Sequence, residues 1–182
     1  IRGEGQEGDN YTIDGLTVRE PSTKTTATPL PLNVIDEVQI ITDGFSPEYG
    51  QALGGTVNVI TKSGTNDFDG EVAYLYTSDA LSNDYQQTFL ATPTDFDAQT
   101  PYISFGGPIV KDKLRFYLSY NRSDTEDTFA PTSIAGFGTL PEGLLEDSSN
   151  TYFGKLSWAI TPNHTVSLNY TYRDRETTGL NA

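Results

Sequence analysis

Apolar and polar residues alternate with a period of two along most of this chain, which is the signature of half-buried β-strands. In the first third, short alternating runs occur at 11–14, 36–42 and 56–62, separated by stretches rich in Gly, Thr and Pro. They predict a small mixed sheet over Asn10–Asn66, with one short helical turn at 46–52. Residues 16–33 carry Pro21, Pro29 and Pro31 and read as irregular loop. From residue 69 the runs lengthen, and five strands are predicted near 69–78, 101–109, 113–122, 150–160 and 164–174. One face of these strands carries Val72, Tyr74 and Tyr76, then Ile103 and Phe105. It continues with Leu114, Phe116, Leu118 and Tyr120, then Tyr152, Leu156, Trp158 and Ile160, then Val166, Leu168, Tyr170 and Tyr172. The other face carries Arg115, Tyr117, Ser119 and Asn121, then Lys155 and Ser157, then Thr165, Ser167, Asn169 and Thr171.

The connections alternate as well. Val110–Asp112 and Thr161-Pro162-Asn163 are tight turns, whereas about 79–100 and 123–149 are long loops. Short turns at one end and long loops at the other fit an outer-membrane barrel, with periplasmic turns and extracellular loops. A structureless loop of that length is uncommon in a compact soluble domain. Five strands do not close a barrel, and an open five-stranded sheet leaves two edges and a lipid-facing surface unsatisfied. The chain therefore reads as a fragment whose partner is the remainder of the same barrel.

A family resemblance rests on four pieces in order. They are Asn10-Tyr11-Thr12-Ile13-Asp14-Gly15, the run EVQIITDGFSPEYGQALGGTVNVITKSGTNDFDG, Phe105-Gly106-Gly107-Pro108-Ile109, and Lys111-Asp112-Lys113-Leu114. Together they resemble TonB-dependent outer-membrane receptors, most closely the Oar-like subgroup, over about residues 9–122. The resemblance implies a mainly β fold: the C-terminal part of a plug domain at 1–67, then the first five antiparallel strands of a large barrel at 68–182. It implies 22 strands in the complete barrel, a place in the bacterial outer membrane, and TonB as a partner acting through an N-terminal segment. It also implies transport of a large nutrient, such as a peptide or oligosaccharide, with no covalent chemistry. Many siderophore receptors carry Arg-Gly-Pro where this chain has Asp43-Gly44-Phe45. That arginine usually faces barrel carboxylates, so this plug is expected to be held differently and a siderophore ligand is disfavoured.

Composition narrows the alternatives. The net charge of −14 and pI near 4.2 disfavour nucleic-acid binding, because phosphates are repelled. The absence of Cys removes disulfides, thiolate metal sites and Cys nucleophiles. No run of about 20 apolar residues could form a membrane helix, but barrel strands need only about 9–11 alternating residues.

Candidate site residues follow. Gly15, Gly44, Gly50, Gly54, Gly55 and Gly64 are expected at turns and close-packing positions of the plug. The Gly54-Gly55 pair is followed by a strand rather than a helix, which argues against a phosphate loop. Tyr76, Tyr120, Tyr152 and Tyr172 fall near the long-loop ends of their strands and suggest an aromatic girdle at the outer lipid–water interface. The alternative is tyrosine serving only as a common strand residue. The long loops hold Asp79, Asp84, Asp95 and Asp97, then Asp124, Glu126, Asp127, Glu142, Glu146 and Asp147, with no Lys or Arg at 77–100 or 123–150. This predicts an acidic extracellular surface that repels anionic ligands and tolerates bridging divalent cations such as Ca²⁺. The alternative is a solvated cover with no ligand role. No catalytic residue, cofactor or dedicated metal site is expected. His164, the only histidine, belongs to a turn, and Asp67 and Asp69 lack the remaining ligand spacing of a Ca²⁺ loop. A rival reading is a soluble or surface-attached β-sandwich for adhesion or carbohydrate binding, which requires the apolar strand faces to pack together. Within the family, an export or surface-assembly role stays open.

Overall fold

The computed structural model describes residues 9–18, 30–41, 55–81, 93–129, 132–134, 138–140 and 143–179. The strands are β1 (Asp9–Ile13), β2 (Leu16–Thr17), β3 (Ile35–Ile41), β4 (Gly55–Thr61), β5 (Asp69–Ser78), β6 (Pro93–Val110), β7 (Leu114–Phe129), β8 (Thr132–Ile134), β9 (Gly138–Leu140), β10 (Gly143–Thr161) and β11 (His164–Gly179).

The N-terminal strands form a four-stranded sheet in the order β2-β1-β4-β3. It is mixed: β1 runs parallel to β4, and the β1–β2 and β3–β4 pairs are antiparallel. The strand β2 lies where sequence reading places a loop. Its cause is the Asp14-Gly15 turn, in which both residues take positive φ (49° and 81°). That is the two-residue geometry whose twist matches a hairpin, and Asp-Gly satisfies it. Ile13 therefore faces Leu16 across the turn. The turn is also tied to β4, because Asp14 N donates to Val59 O at 2.9 Å and Gly15 N to Asn58 Oδ1 at 3.2 Å. The helical turn expected at 46–52 lies outside the described residues.

The second sheet has the order β11-β10-β7-β6-β5, with β8 and β9 forming a separate hairpin between β7 and β10. Chain order and sheet order thus agree, as in an antiparallel meander. The turns are short: Lys113 N donates to Val110 O at 3.1 Å around Asp112, whose φ is 62°. Strands β6, β7 and β10 extend 18, 16 and 19 residues, well past the expected loop boundaries. Much of the two long loops is therefore hydrogen-bonded strand. Polar residues on both faces erase the apolar alternation there, while the ladder itself continues.

The faces of the meander sort as the alternation predicts. On β7, Tyr117, Ser119 and Asn121 are buried and Leu118 is exposed; on β10, Lys155 and Ser157 are buried and Trp158 and Ile160 are exposed. Val166, Leu168, Tyr170 and Tyr172 on β11 are likewise exposed. Among the described residues the buried apolar side chains are only Ile13, Val34, Tyr117 and Phe153, whereas buried polar ones include Ser104, Ser119, Asn121, Thr151 and Lys155. A water-soluble sandwich must do the reverse and bury its large apolar faces. That rival therefore fails on the exposure of Leu118, Trp158 and Leu168.

By contacts the chain forms two compact units. One contains residues 1–68, 106–117 and 154–171; the other contains 69–105, 118–153 and 172–182. The first unit thus combines the N-terminal sheet with the short-turn ends of the meander strands, so the contact boundary does not follow a simple division at residue 67.

Candidate functional site

Asp14 lies at the tip of the β1–β2 hairpin, with its carboxylate turned toward β4 and β10. Oδ1 accepts from Thr61 N at 3.0 Å, and Oδ2 accepts from Thr61 Oγ1 at 2.6 Å, Asn169 Nδ2 at 2.7 Å and Lys155 Nζ at 3.1 Å. Lys155 Nζ also donates to Thr61 Oγ1 at 2.9 Å and to Thr61 O at 3.1 Å. The Lys155 and Asp14 side chains are only 7% and 15% exposed. All three ammonium donors are therefore used, and the carboxylate accepts four hydrogen bonds. A buried ion pair is tolerated when its remaining lone pairs and protons are satisfied in this way.

Burial alone would push the Asp14 carboxyl up. The Thr61 hydroxyl, the Thr61 amide and Lys155 together outweigh it and hold the group below its ordinary 3.8. Because the folded-state value is depressed, Asp14 contributes stability above its unfolded value and loses it as pH falls through the folded one. The stability of the N-terminal sheet should therefore hold above about the ordinary carboxyl value of 3.8 and decline as pH falls from there toward the depressed folded-state value. Asp14→Asn should abolish that acid transition, as measured by amide exchange of β1 and β4 against pH.

A second attachment fixes the connection from β4 to β5. Asn66 Nδ2 donates to Asp112 Oδ1 at 2.5 Å, and Asp112 N donates back to Asn66 Oδ1 at 3.0 Å. Gly64 passes so close to β7 that a Cβ there would overlap the Phe116 carbonyl, and a Cβ at Gly107 would overlap the Phe68 ring. Gly64→Ala should destabilise this connection by about 1–3 kcal/mol, because the obstacle is backbone. Gly107→Ala should cost clearly less, because Phe68 is 65% exposed and its ring can swing away. Thermal unfolding of the two variants, compared directly, checks the contrast.

The remaining predicted positions separate. Gly15 occupies the hairpin turn and Gly64 the close approach, whereas Gly55 is the first residue of β4, paired with Asp9, rather than a turn. Gly44, Gly50 and Gly54 lie outside the described residues. Tyr120, Tyr152 and Tyr172 form a row across β7, β10 and β11, with ring centroids 5.0 and 6.2 Å apart. Tyr76 is exposed on β5 and donates its hydroxyl to Asp97 Oδ1 at 2.7 Å.

Of the acidic residues, Asp95, Asp97, Asp124, Glu126, Asp127, Glu146 and Asp147 belong to the extended strands, and Asp79 to a short 3-10 turn. Asp84 and Glu142 lie outside the described residues. Two of these carboxylates have cationic partners: Arg122 pairs with Asp124 at 2.7 Å, and Arg175 forks onto Asp147. These arginines hold Asp124 and Asp147 below the usual carboxylate range. Asp95 is pushed up by a hydrogen bond to Asp79 and by its charge. Both arginines lie outside the loop boundaries drawn from sequence, so the acidic surface is partly neutralised by its flanking strands. Among the described residues no group of three or more carboxylates or histidines converges as a metal-ligand set.

Sequence reading placed Lys155 and Asn169 on the polar face but did not join them to Asp14. The separations are 141 and 155 residues, so no local spacing could announce the pairing.

An exposed apolar strand face, a polar buried face and a small mixed sheet bonded to the latter define an outer-membrane β-barrel architecture. A family model described as an outer membrane beta barrel domain matches residues 60–136. The TonB-dependent transporter Oar of Myxococcus xanthus is 28% identical, over 99% of this chain and 20% of its own. A probable TonB-dependent siderophore receptor, PirA of Acinetobacter baumannii, is also 28% identical, over 92% of this chain and 22% of its own. The crystal structure of the siderophore receptor PirA from Acinetobacter baumannii superposes with a TM-score of 0.69 at 25% identity, covering 97% of this chain and 25% of that one. A ferric enterobactin receptor mutant from Pseudomonas aeruginosa gives 0.64 at 21% identity, which is a likeness of fold. By sequence and by fold the chain is similar to TonB-dependent outer-membrane receptors, and the outer membrane beta barrel match places it in a bacterial outer membrane. It spans about a fifth to a quarter of the length of the relatives it matches.

Proposed function

We propose that the whole receptor imports a large nutrient, a peptide, an oligosaccharide or similar, through a barrel closed by a plug that includes the N-terminal sheet. TonB acts on an N-terminal segment of the receptor, and the step involves no covalent chemistry and no cofactor. The observation that carries this reading is the Asp14–Thr61–Lys155–Asn169 cluster. It holds the sheet to β10 and β11 through side-chain bonds alone, which can break and re-form without chemistry. Its polarity also suits the altered Asp43-Gly44-Phe45 sequence: here a carboxylate of the N-terminal sheet meets a cation of the barrel wall. PirA is named for siderophores. The missing Arg-Gly-Pro argues against carrying that ligand class over to this chain.

The test is uptake of labelled peptides and oligosaccharides by cells carrying or lacking the full-length receptor, with and without active TonB. Energised uptake of one class that depends on both supports the proposal. Uptake of none, or a deletion whose only effect is on secreted or surface proteins, refutes import and favours the export role.

A further inference from the structure

The connection from β4 to β5 changes faces of the sheet between Gly64 and Phe68. Gly64 lies on the buried face: its Cα is 3.5 Å from the point where a Cβ of Gly106 would stand, beside the Tyr117 ring. Phe68 lies on the other face. Along β6, Phe105 and Ile109 are exposed while Ser104 and Gly106 are buried, so alternation puts Gly107 on the exposed side. Gly107 is nevertheless buried, and a Cβ on it would run into the Phe68 ring. The ring is therefore the cover of Gly107, while itself 65% exposed.

The two glycines divide the work. Adjacent residues of a strand point to opposite faces, so Gly106 admits Gly64 on one side and Gly107 admits Phe68 on the other. Between these two arms, Asn66 exchanges hydrogen bonds with Asp112 in the β6–β7 turn, at 2.5 and 3.0 Å. Residues 64–68 thus hold the short-turn end of β6 and β7 from both faces.

We propose that residues 64–68 are a clip whose outer arm, Phe68, is held by the acyl chains of the leaflet on the short-turn side, so that a movement of the N-terminal sheet stops at Gly64 and does not reach β5. The occupant follows from the surroundings of the ring. Phe68 continues the exposed face that carries Ile109, which the barrel assigns to lipid. Just beyond, the turn exposes Lys111 and Lys113, cations that suit the phosphate level of a phospholipid leaflet. Hydrocarbon around the ring keeps it on Gly107 at no cost in wetted apolar surface. The inference rests on the outer-membrane placement and holds whatever the receptor transports.

The test uses the full-length receptor in phospholipid vesicles. A nitroxide attached at Phe68→Cys should relax more with dissolved oxygen than with a water-soluble nickel chelate, as should one at Ile109→Cys, with the order reversed at Lys111→Cys. Preference for the chelate at position 68 overturns the proposal. Shielding from both probes means that protein covers the ring, and overturns it as well. The second arm is amide exchange at Asp112, whose N–H is donated to Asn66. Phe68→Ser should speed this exchange about tenfold, which corresponds to about 1.4 kcal/mol. Phe68→Leu should restore most of the protection, because a second lipid-soluble side chain can serve as the arm. Lys155→Met, which loosens the sheet, should leave Asp112 as protected as before. Heat-modifiable gel migration confirms that each variant is a folded barrel. Unchanged exchange in Phe68→Ser, or lost protection in Lys155→Met alone, overturns the clip.

Discussion

Lys155→Met should loosen the N-terminal sheet by about 3–5 kcal/mol, the usual cost of leaving a buried charge without its partner. The Asp14 carboxylate would keep its bonds from Thr61 and Asn169 but lose the one cation that touches it among the described residues. Asp14→Asn alone should cost less. An amide can still accept from Thr61, and a lysine freed of its partner retains the Thr61 hydroxyl and carbonyl. Combining Asp14→Asn with Lys155→Met removes both charges and should recover much of the single-variant loss. The four proteins form a double-mutant cycle whose coupling term isolates the pair. Amide exchange of β1 and β4 in the full-length receptor is the measurement, because β1 leads into the hairpin that presents Asp14 and β4 ends at Thr61, which bonds its carboxylate. If Lys155→Met exchanges like the unaltered receptor, the cluster does not hold the sheet. If the double variant is worse than either single one, packing rather than charge pairing dominates at this position.

What the sequence made legible follows physical period. Leu118, Trp158 and Leu168 announce their side of the sheet because a strand reverses its side chains at every residue and one side must be apolar. Asp14-Gly15 could have announced β2, since an Asp-Gly pair flanked by Ile13 and Leu16 is a hairpin signal; the short return strand was hidden in a Thr- and Pro-rich stretch. The extensions of β6, β7 and β10 were not legible, because beyond the lipid neither face must be apolar and alternation vanishes. The Asp14–Thr61–Lys155–Asn169 cluster was half legible. Lys155 and Asn169 fall on the polar face by period alone, and Asp14 falls in a motif of the resemblance. Joining them needs the three-dimensional register of β10 and β11 against the N-terminal sheet, which no spacing along the chain encodes.

Leu168→Arg should reduce the stability of the barrel in a bilayer by about 2–4 kcal/mol, the cost of a cation facing lipid near the bilayer midplane. Leu168 is 66% exposed with Val166 and Tyr170 beside it on the same face, and it lies centrally in the part of β11 expected to cross the membrane. Ser167→Arg, one residue away, should cost far less, because its side chain leaves the opposite face of the strand. The difference between the two substitutions is more diagnostic than either alone, since backbone, strand and depth are nearly shared. Denaturant-dependent folding of the full-length receptor into lipid vesicles gives both values. A penalty confined to Leu168→Arg requires a nonpolar solvent on that face and an aqueous interior on the other. Equal penalties would mean that both faces of β11 are packed against protein, and the orientation assigned to the entire meander would be wrong.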